Sequence, residues 1–443
     1  MRKPQLPPSF EVLQERMDSA QEFWANLSKV KESSAFKQYL HWEEVRHRTP
    51  PEGLTHEQWW TGLKVLRRLE YKQTPLRDKQ GKAFVFSTPD KVIEHLHMLD
   101  RRAGGMQDNS THFIDHKMHD QYMIASLMEE AATSSQLEGA ATTRQEAQAL
   151  LRSGRAPVNR HERMILNNFR TMRRLLDLVN ETMSAELLLD IHRWITEDTM
   201  EDAAAAGRFR TESDKVYVSD QTEDVLFVPP PAGELKARME ALYMFSNGNT
   251  PDYFLHPVLR SMMLHFWLAY DHPFVDGNGR VARALFYWSM LRHHYWLMEF
   301  VSISPILLLA PSGYARAFLY TETDDNDLTY FLLHQVRVLD KAVKELDAHL
   351  LRKIREGQEA ERRLQGLEEL NHRQRGLITH ALHHPNAQYT IASHRNSHGV
   401  TYQTARTDLL ELEALGLLNK TTKGKAFFFT PVVKLEKRLG NTA

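Results

Sequence analysis

Apolar residues recur at helical spacing along most of this chain, and alternating β-type runs are short and few. Positions 10–48 carry such spacing and predict helix, ended by Pro50, Pro51 and Gly53. The next helix opens on Thr55 and Gln58, a capping pair three residues apart. Residues 76–86, LRDKQGKAFVF, predict a small hairpin, and 103–111 a loop. Helical periodicity then predicts elements over 122–132, 143–152, 161–179, 185–199, 231–247, 257–270, 279–293, 312–323 and 328–350. Two β-type runs, KVYV at 215–218 and VLFVPPP at 225–231, interrupt them around a polar turn at 219–224. From about residue 358 a charged helical connector leads to three helical stretches and a short strand pair around Lys423 and Gly424, the pattern of a winged helix-turn-helix. The expected class is mainly α. The expected division is a helical N-terminal region (1–110), a central helical domain with one hairpin (111–355) and a winged-helix domain (356–443).

Composition narrows the function classes. The 443 residues carry 56 Lys and Arg against 57 Asp and Glu, a formal net charge of −1, so no global basic field draws nucleic acid. With no cysteine, disulfides and thiolate metal sites are excluded. The charged N-terminus has no apolar core behind it and no uncharged apolar run reaches spanning length, so neither a secretory signal nor a membrane span is expected. A cytoplasmic location is the expectation. Trp42, Trp59 and Trp60 are expected to pack in a core.

The chemistry concentrates in DHPFVDGNGRVAR, Asp271 to Arg283. Pro273 stops the helix before it, and the segment after Arg280 is apolar on nearly every side, a buried central helix. The loop between them is therefore pinned, and the second helix presents free N–H groups at a fixed positive end. Gly277 and Gly279 allow a ligand close to the backbone, which makes an anion cradle. Arg280 and Arg283, three apart, can grip further phosphate oxygens. Asp276 beside phosphates calls for a cation, most simply Mg2+. His272 can act as a general base near neutral pH. Together these are the parts of phosphoryl or nucleotidyl transfer. The P-loop spacing is absent.

HPFVDGNGRVAR matches without substitution the signature H-P-F-x-[DE]-G-N-G-R-x-x-R of the Fic (Fido) family, and the resemblance extends over about residues 111–345 through GRFR (Gly207 to Arg210) and the hairpin ending in FVPPP. It implies a helical bundle with a β-hairpin flap over the site, and transfer of AMP from ATP to a Ser, Thr or Tyr hydroxyl of a protein. On that resemblance His272 deprotonates the hydroxyl and Asp276 holds Mg2+. Gly277, Asn278 and Gly279 bind phosphate, Arg280 contacts the β-phosphate and Arg283 the γ-phosphate. The flap (Val216, Tyr217, Val218, Phe227 and Val228) would hold a target protein as an added strand. SSQLEGA, Ser134 to Ala140, resembles the family's inhibitory pattern [ST]-x-x-x-E-[GN], with Ser134 and Glu138 in place. Glu138 is expected to pair with Arg283 and deny it to the γ-phosphate. Tyr314 and Asn326 lie where family members contact adenosine.

Several readings stay open at this level. The same residues serve removal of AMP, and a core that only senses nucleotide for a DNA-binding regulator is a further alternative. Self-modification and a homodimer are both compatible with the sequence. His192, His256, His265, His293 and His294 match no common metal-ligand spacing, and His256 is expected to cap its helix. Glu223 and Asp224 are expected to be solvated. In the winged helix, Tyr402, Gln403, Arg406 and Thr407 could face a groove, and Lys420, Lys423 and Lys425 decorate the wing, while Asp408, Glu411 and Glu413 weigh against DNA. DNA and a docked protein both remain candidate partners.

Overall fold

The computed structural model describes residues 3–9, 20–103, 116–153, 155–219, 225–366, 370–423 and 426–439. The loop expected at 103–111 falls almost wholly outside these residues. So do Glu223 and Asp224 of the flap turn, and Gly424 and Lys425 at the tip of the wing.

The described chain is mainly helical and divides into two compact units, Met1–Val343 and Lys344–Ala443. The first opens with α1 (Ala20–Glu32) and α2 (His56–Arg68), the latter started by the expected capping box of Thr55 and Gln58. Trp42, Trp59 and Trp60 are buried there with Val30, Ala35, Val45 and Leu63. The antiparallel hairpin β1 (Lys72–Arg77) and β2 (Ala83–Phe86) follows, then α3 (Asp90–Ala103). After it come α4 (His116–Leu137), α5 (Arg144–Ser153), α6 (Arg160–Asp177) and α7 (Ala185–Thr196). A second hairpin, β3 (Val218–Ser219) with β4 (Val225–Phe227), precedes α8 (Leu235–Ser246), α9 (Pro257–Asp271) and α10 (Asn278–Arg292). The unit is completed by α11 (Ser304–Leu309), α12 (Pro311–Thr323) and the first part of α13 (Thr329–Gly366).

The N-terminal region is part of this first unit. β2 pairs its backbone with the segment after α12: Val85 N–H donates to Asn326 O at 3.0 Å, and Leu328 N–H to Val85 O at 2.8 Å. Beneath that seam lies a buried polar junction. Lys64 pairs with Asp324 at 2.7 Å, and Arg67 donates to the Tyr330 hydroxyl at 2.8 Å. The hydroxyls of Tyr39 and Tyr71 both donate to Asp327, at 2.8 and 2.7 Å. Buried charges in such a junction are held because each has a partner.

The bundle core sits on α9 and α10. Both are buried nearly all round: Val258, Leu259, Met262, Met263 and Phe266 in α9, and Val281, Ala284, Leu285, Phe286 and Trp288 in α10. Small residues let α4 lie close to α6, where Ser135 Oγ donates to Ala131 O at 2.8 Å and Asn168 Nδ2 reaches the same carbonyl at 3.3 Å. α4 extends five residues past the expected end at 132, which carries Ser134 inside the helix. α13 runs through the expected 355/356 boundary.

The second unit holds α14 (His372–His383), β5 (Tyr389–Thr390), α15 (Ile391–His398), α16 (Tyr402–Ala414) and the hairpin β6 (Leu418–Lys423) with β7 (Ala426–Pro431). Its sheet has the order β5-β7-β6 and packs Phe429 against Leu377, Ile378, Ala405, Leu409 and Leu412. No helix among the described residues is long and apolar enough to cross a membrane.

Candidate active site in the α9–α10 loop

α9 ends because His272 takes a left-handed conformation, φ 47°, with Pro273 behind it. Gly277, at φ 81°, starts α10 from the same region of backbone space, which costs glycine little. Between them the loop is closed by Asn278, whose Oδ1 accepts from Phe274 N–H at 2.9 Å while Nδ2 donates to Phe274 O at 2.8 Å. The Asn278 side chain is thus committed to the loop, and only its backbone remains for a ligand. Phe274 is fully buried and anchors the turn.

Three residues that the sequence reading did not place at the site hold this loop from outside. His192 on α7 stacks flat on Phe274, ring centroids 3.8 Å apart. Its Nδ1 accepts from Gly207 N–H at 2.9 Å, so the proton sits on Nε2, which donates to Asp276 O at 3.0 Å. Arg210 donates from Nε to His272 O at 2.8 Å and from Nη2 to Pro230 O, tying the loop to the foot of the β3–β4 hairpin. Arg160 faces the Asp276 carboxylate at 3.3 Å. The resemblance carried by GRFR assigns Arg210 no role, and nothing in the local pattern around His192 or Arg160 separates them from surface residues.

Burial pushes the His192 imidazole down to about 4, against an ordinary 6.5. The stability this neutral ring contributes is therefore complete above about pH 6.5 and is lost as pH falls through about 4. His192→Ala removes the stacked ring and leaves the Asp276 carbonyl and the Gly207 N–H without partners, an expected cost of about 3 kcal/mol. Denaturant unfolding at pH 7.5 measures it; a loss below about 1 kcal/mol would show that the loop does not depend on this ring.

At the face of the site, His272 Nδ1 lies 3.2 Å from Ala269 O. A carbonyl only accepts, so Nδ1 carries the proton and Nε2 keeps its lone pair. Burial lowers this imidazole below its ordinary value, so it is neutral at pH 7. Asp276 is 37% exposed; Oδ1 accepts from Gly277 N–H at 2.6 Å, and Oδ2 stands 3.6 Å from Arg280 Nη2. Arg280 is 1% exposed, donates from Nη1 to Ile195 O at 3.2 Å, and leaves Nε and Nη2 without a hydrogen-bond partner among the described residues.

Arg283, equally buried, is engaged through Nε and Nη2. Nε donates to Ser134 Oγ at 2.8 Å, and Nη2 to Ser134 O and to Glu138 Oε1, each at 2.9 Å. Burial pulls this guanidinium down, yet Glu138 and its neighbours hold it above its ordinary value. α4 and α10 meet here in matched steps of four residues. Glu130 accepts from the Tyr287 hydroxyl at 2.9 Å, Ser134 meets Arg283, and Glu138 lies over Gly279. A Cβ built on Gly279 would stand 2.0 Å from Glu138 Oε1. The carboxylate therefore lies against the first turn of α10, where the helix end favours an anion.

Residues 182–290 match the model of the Fic/DOC family. This segment is a Fic domain. The protein adenylyltransferase Fic of Nematostella vectensis is 35% identical over 106 residues, 24% of this chain and 22% of that protein. That of Culex quinquefasciatus is 32% identical over 116 residues, 26% of this chain and 21% of that protein. The matched part thus spans about a fifth of the length of these relatives. A Fic family protein from Desulfovibrio desulfuricans G20 superposes with a TM-score of 0.50 at 17% identity, over 77% of this chain and 95% of that one, a likeness of fold.

The Fic domain brings His272, Asp276, Gly277, Gly279, Arg280 and Arg283 to one place, with Ser134 and Glu138 facing them from α4. In the β3–β4 hairpin Val218 pairs with Phe227, Val216 and Val218 are partly buried, and Tyr217 and Val228 are 57% and 54% exposed. Phe227 lies against Tyr270, ring centroids 5.0 Å apart, and Lys79 donates to Val228 O at 2.6 Å. Tyr314 is packed behind Arg283, its hydroxyl 2.7 Å from His265 Nε2. Asn326 donates to Asp78 Oδ2 at 2.7 Å, in the turn of the N-terminal hairpin. His256 caps α9, accepting from Val258 N–H at 3.3 Å.

Proposed function

We propose that this protein is an autoinhibited protein adenylyltransferase, transferring AMP from ATP to a Ser, Thr or Tyr hydroxyl of a target protein or of itself. Arg280 carries the reading. Two of its nitrogens are buried without a hydrogen-bond partner among the described residues, one of them 3.6 Å from Asp276 Oδ2, beside the left-handed Gly277 turn and the start of α10. An unsatisfied buried guanidinium is costly, and a phosphate group satisfies it with charge-assisted hydrogen bonds. Named relatives that act as protein adenylyltransferases support the class of reaction.

In this reading the neutral His272 takes the proton of the target hydroxyl on Nε2. The freed oxygen bonds to the α-phosphorus of ATP, the bond from that phosphorus to the β-bridging oxygen breaks, and pyrophosphate leaves. The first turn of α10 and Arg280 hold the phosphates, and Arg283 is the group for the γ-phosphate. Asp276 fits a Mg2+ ion that arrives with the triphosphate. One oxygen is fixed by Gly277 N–H, the other is held only by the half-exposed Arg160 at 3.3 Å and by Arg280 at 3.6 Å, and magnesium commonly takes one protein carboxylate plus phosphate and water. When bound, the ion supplies neutralisation of phosphate charge. The exposed apolar side chains of the β3–β4 hairpin offer an edge for a target segment added as a strand.

Glu138 is the restraint. It holds Arg283 at 2.9 Å and covers Gly279, both of which the triphosphate needs. No observation favours removal of AMP, or a core that senses nucleotide without transfer. The test is a pair of labels. Incubation with Mg2+ and α-labelled ATP is expected to leave label on protein, whereas γ-labelled ATP leaves none because that phosphate departs in pyrophosphate. Retention of the γ label would mean phosphoryl transfer and overturn the reading.

A further inference from the structure

We propose that the second unit binds duplex DNA through the exposed face of α16, with β6 beside the flanking backbone. The near-neutral charge of the whole chain hides an uneven division. Residues 371–443 hold ten Lys and Arg against four Asp and Glu, so the excess acid lies in the rest of the chain. A local surplus of this kind is the electrostatic footprint of phosphate contact.

The acids that weigh against DNA in the sequence are disposed of in the structure. Asp408 is 2% exposed and points inward among α14, α15 and α16. It accepts from Arg373 Nε at 2.7 Å and Nη2 at 3.0 Å, from Asn371 Nδ2 at 2.8 Å, and stands 3.1 Å from His394 Nε2. Its role is to hold the three helices together. Glu411 accepts from Gln374 Nε2 at 2.7 Å, and Glu413 pairs with Lys420 at 3.4 Å. The N-terminal half of α16 therefore exposes no carboxylate.

That half is also the free one. Gly399, at φ 61°, turns the chain out of α15, and Thr401 caps α16 by accepting from Thr404 N–H at 3.2 Å. Ala405, Leu409 and Leu412 enter the core, which turns Tyr402, Gln403, Arg406 and Thr407 away from it. Tyr402 is 54% exposed, and Arg406 makes no hydrogen bond or ion pair among the described residues. Arginine on guanine and glutamine on adenine are the common bidentate pairings in a major groove, and the first turns of a second helix are where such motifs place them. Arg395 on α15 and Lys420 on β6 stand on the two elements that flank α16, as phosphate contacts should.

The experiment uses the full chain, a pool of randomised duplexes about two helical turns long, and fluorescence anisotropy on the sequence the pool yields. Affinity is expected to fall on the order of a hundredfold between about 50 and 200 mM salt, the counterion release of about four phosphate contacts. Arg406→Ala is expected to weaken the selected sequence about tenfold and to relax preference at one position, leaving unselected duplex within about threefold. Lys420→Ala weakens both alike. Should Arg406→Ala unfold, Gln403→Ala on the same exposed turn carries the test. No retention of any duplex at about 50 mM salt would overturn the inference and assign the face to a protein partner. Equal affinity for duplex RNA would overturn it too, because a helix cannot enter the narrow A-form major groove. None of these readouts depends on adenylyl transfer.

Discussion

His272→Asn is expected to lower AMP transfer by about 10²–10⁴-fold, the contribution of a positioned general base, while ATP binding stays within a few-fold. Asparagine is the informative replacement because residue 272 sits at φ 47°. Alanine would add backbone strain to the loss of the base, whereas asparagine tolerates the left-handed region. The loop should keep its shape, since Asn278, Arg210 and His192 fix it independently of the imidazole. Single-turnover labelling gives the rate, and calorimetric titration with ATP and Mg2+ gives the affinity. A rate within about threefold of wild type, with affinity unchanged, would remove His272 from the chemistry. The pH profile adds a second check. Burial lowers the His272 imidazole, so the acid limb of kcat/KM should lie below the ordinary histidine value of about 6.5. A limb above it would mean that a different group donates or accepts the proton.

The catalytic loop is legible in sequence because its parts are contiguous. Base, carboxylate, glycines and arginines fall between His272 and Arg283, and the adjoining helices are apolar enough to announce that the loop is pinned. Its supports are not legible. His192 meets Asp276 across 84 residues and Arg210 meets His272 across 62, and neither spacing follows any local period. The same limit explains the N-terminal region, expected as a separate block. Its junction with the bundle is made of Tyr39, Lys64, Arg67, Tyr71, Asp324 and Asp327, residue types that an apolar-pattern reading assigns to surface. Asp408 misleads for the same reason. Buried polar groups are paired, and a sequence displays the group without the pair. The apolar pattern stops short of the end of α4 because Ala131, Ala132, Thr133, Ser134 and Ser135 are small or polar, yet all are buried where the helix crosses α6 and α10.

Glu138→Gly is expected to raise AMP transfer by about ten- to a hundredfold. Two separate obstructions end with the one side chain. The first is electrostatic: the carboxylate occupies Arg283 at 2.9 Å and repels a phosphate brought to the same guanidinium. The second is steric: Oε1 lies over Gly279, against the turn that should receive phosphate. Arg283 should not collapse once Glu138 is gone, because Ser134 still accepts from Nε and Nη2 at 2.8 and 2.9 Å. The guanidinium is then held in position with donor capacity released. Glu138→Gln separates the two effects, since it removes the charge and keeps the bulk. Activation equal to that of the glycine variant means the charge is the brake; activity equal to wild type means the cover over Gly279 is. Ser134→Ala in the Glu138→Gly background is expected to cancel part of the gain, because Arg283 Nε loses its hydroxyl acceptor and only the residue 134 carbonyl still aims Nη2. Intact-mass spectrometry after incubation with ATP and Mg2+ reads all four proteins. If Glu138→Gly transfers no faster than wild type, the contact between α4 and α10 is a packing feature and the restraint lies elsewhere.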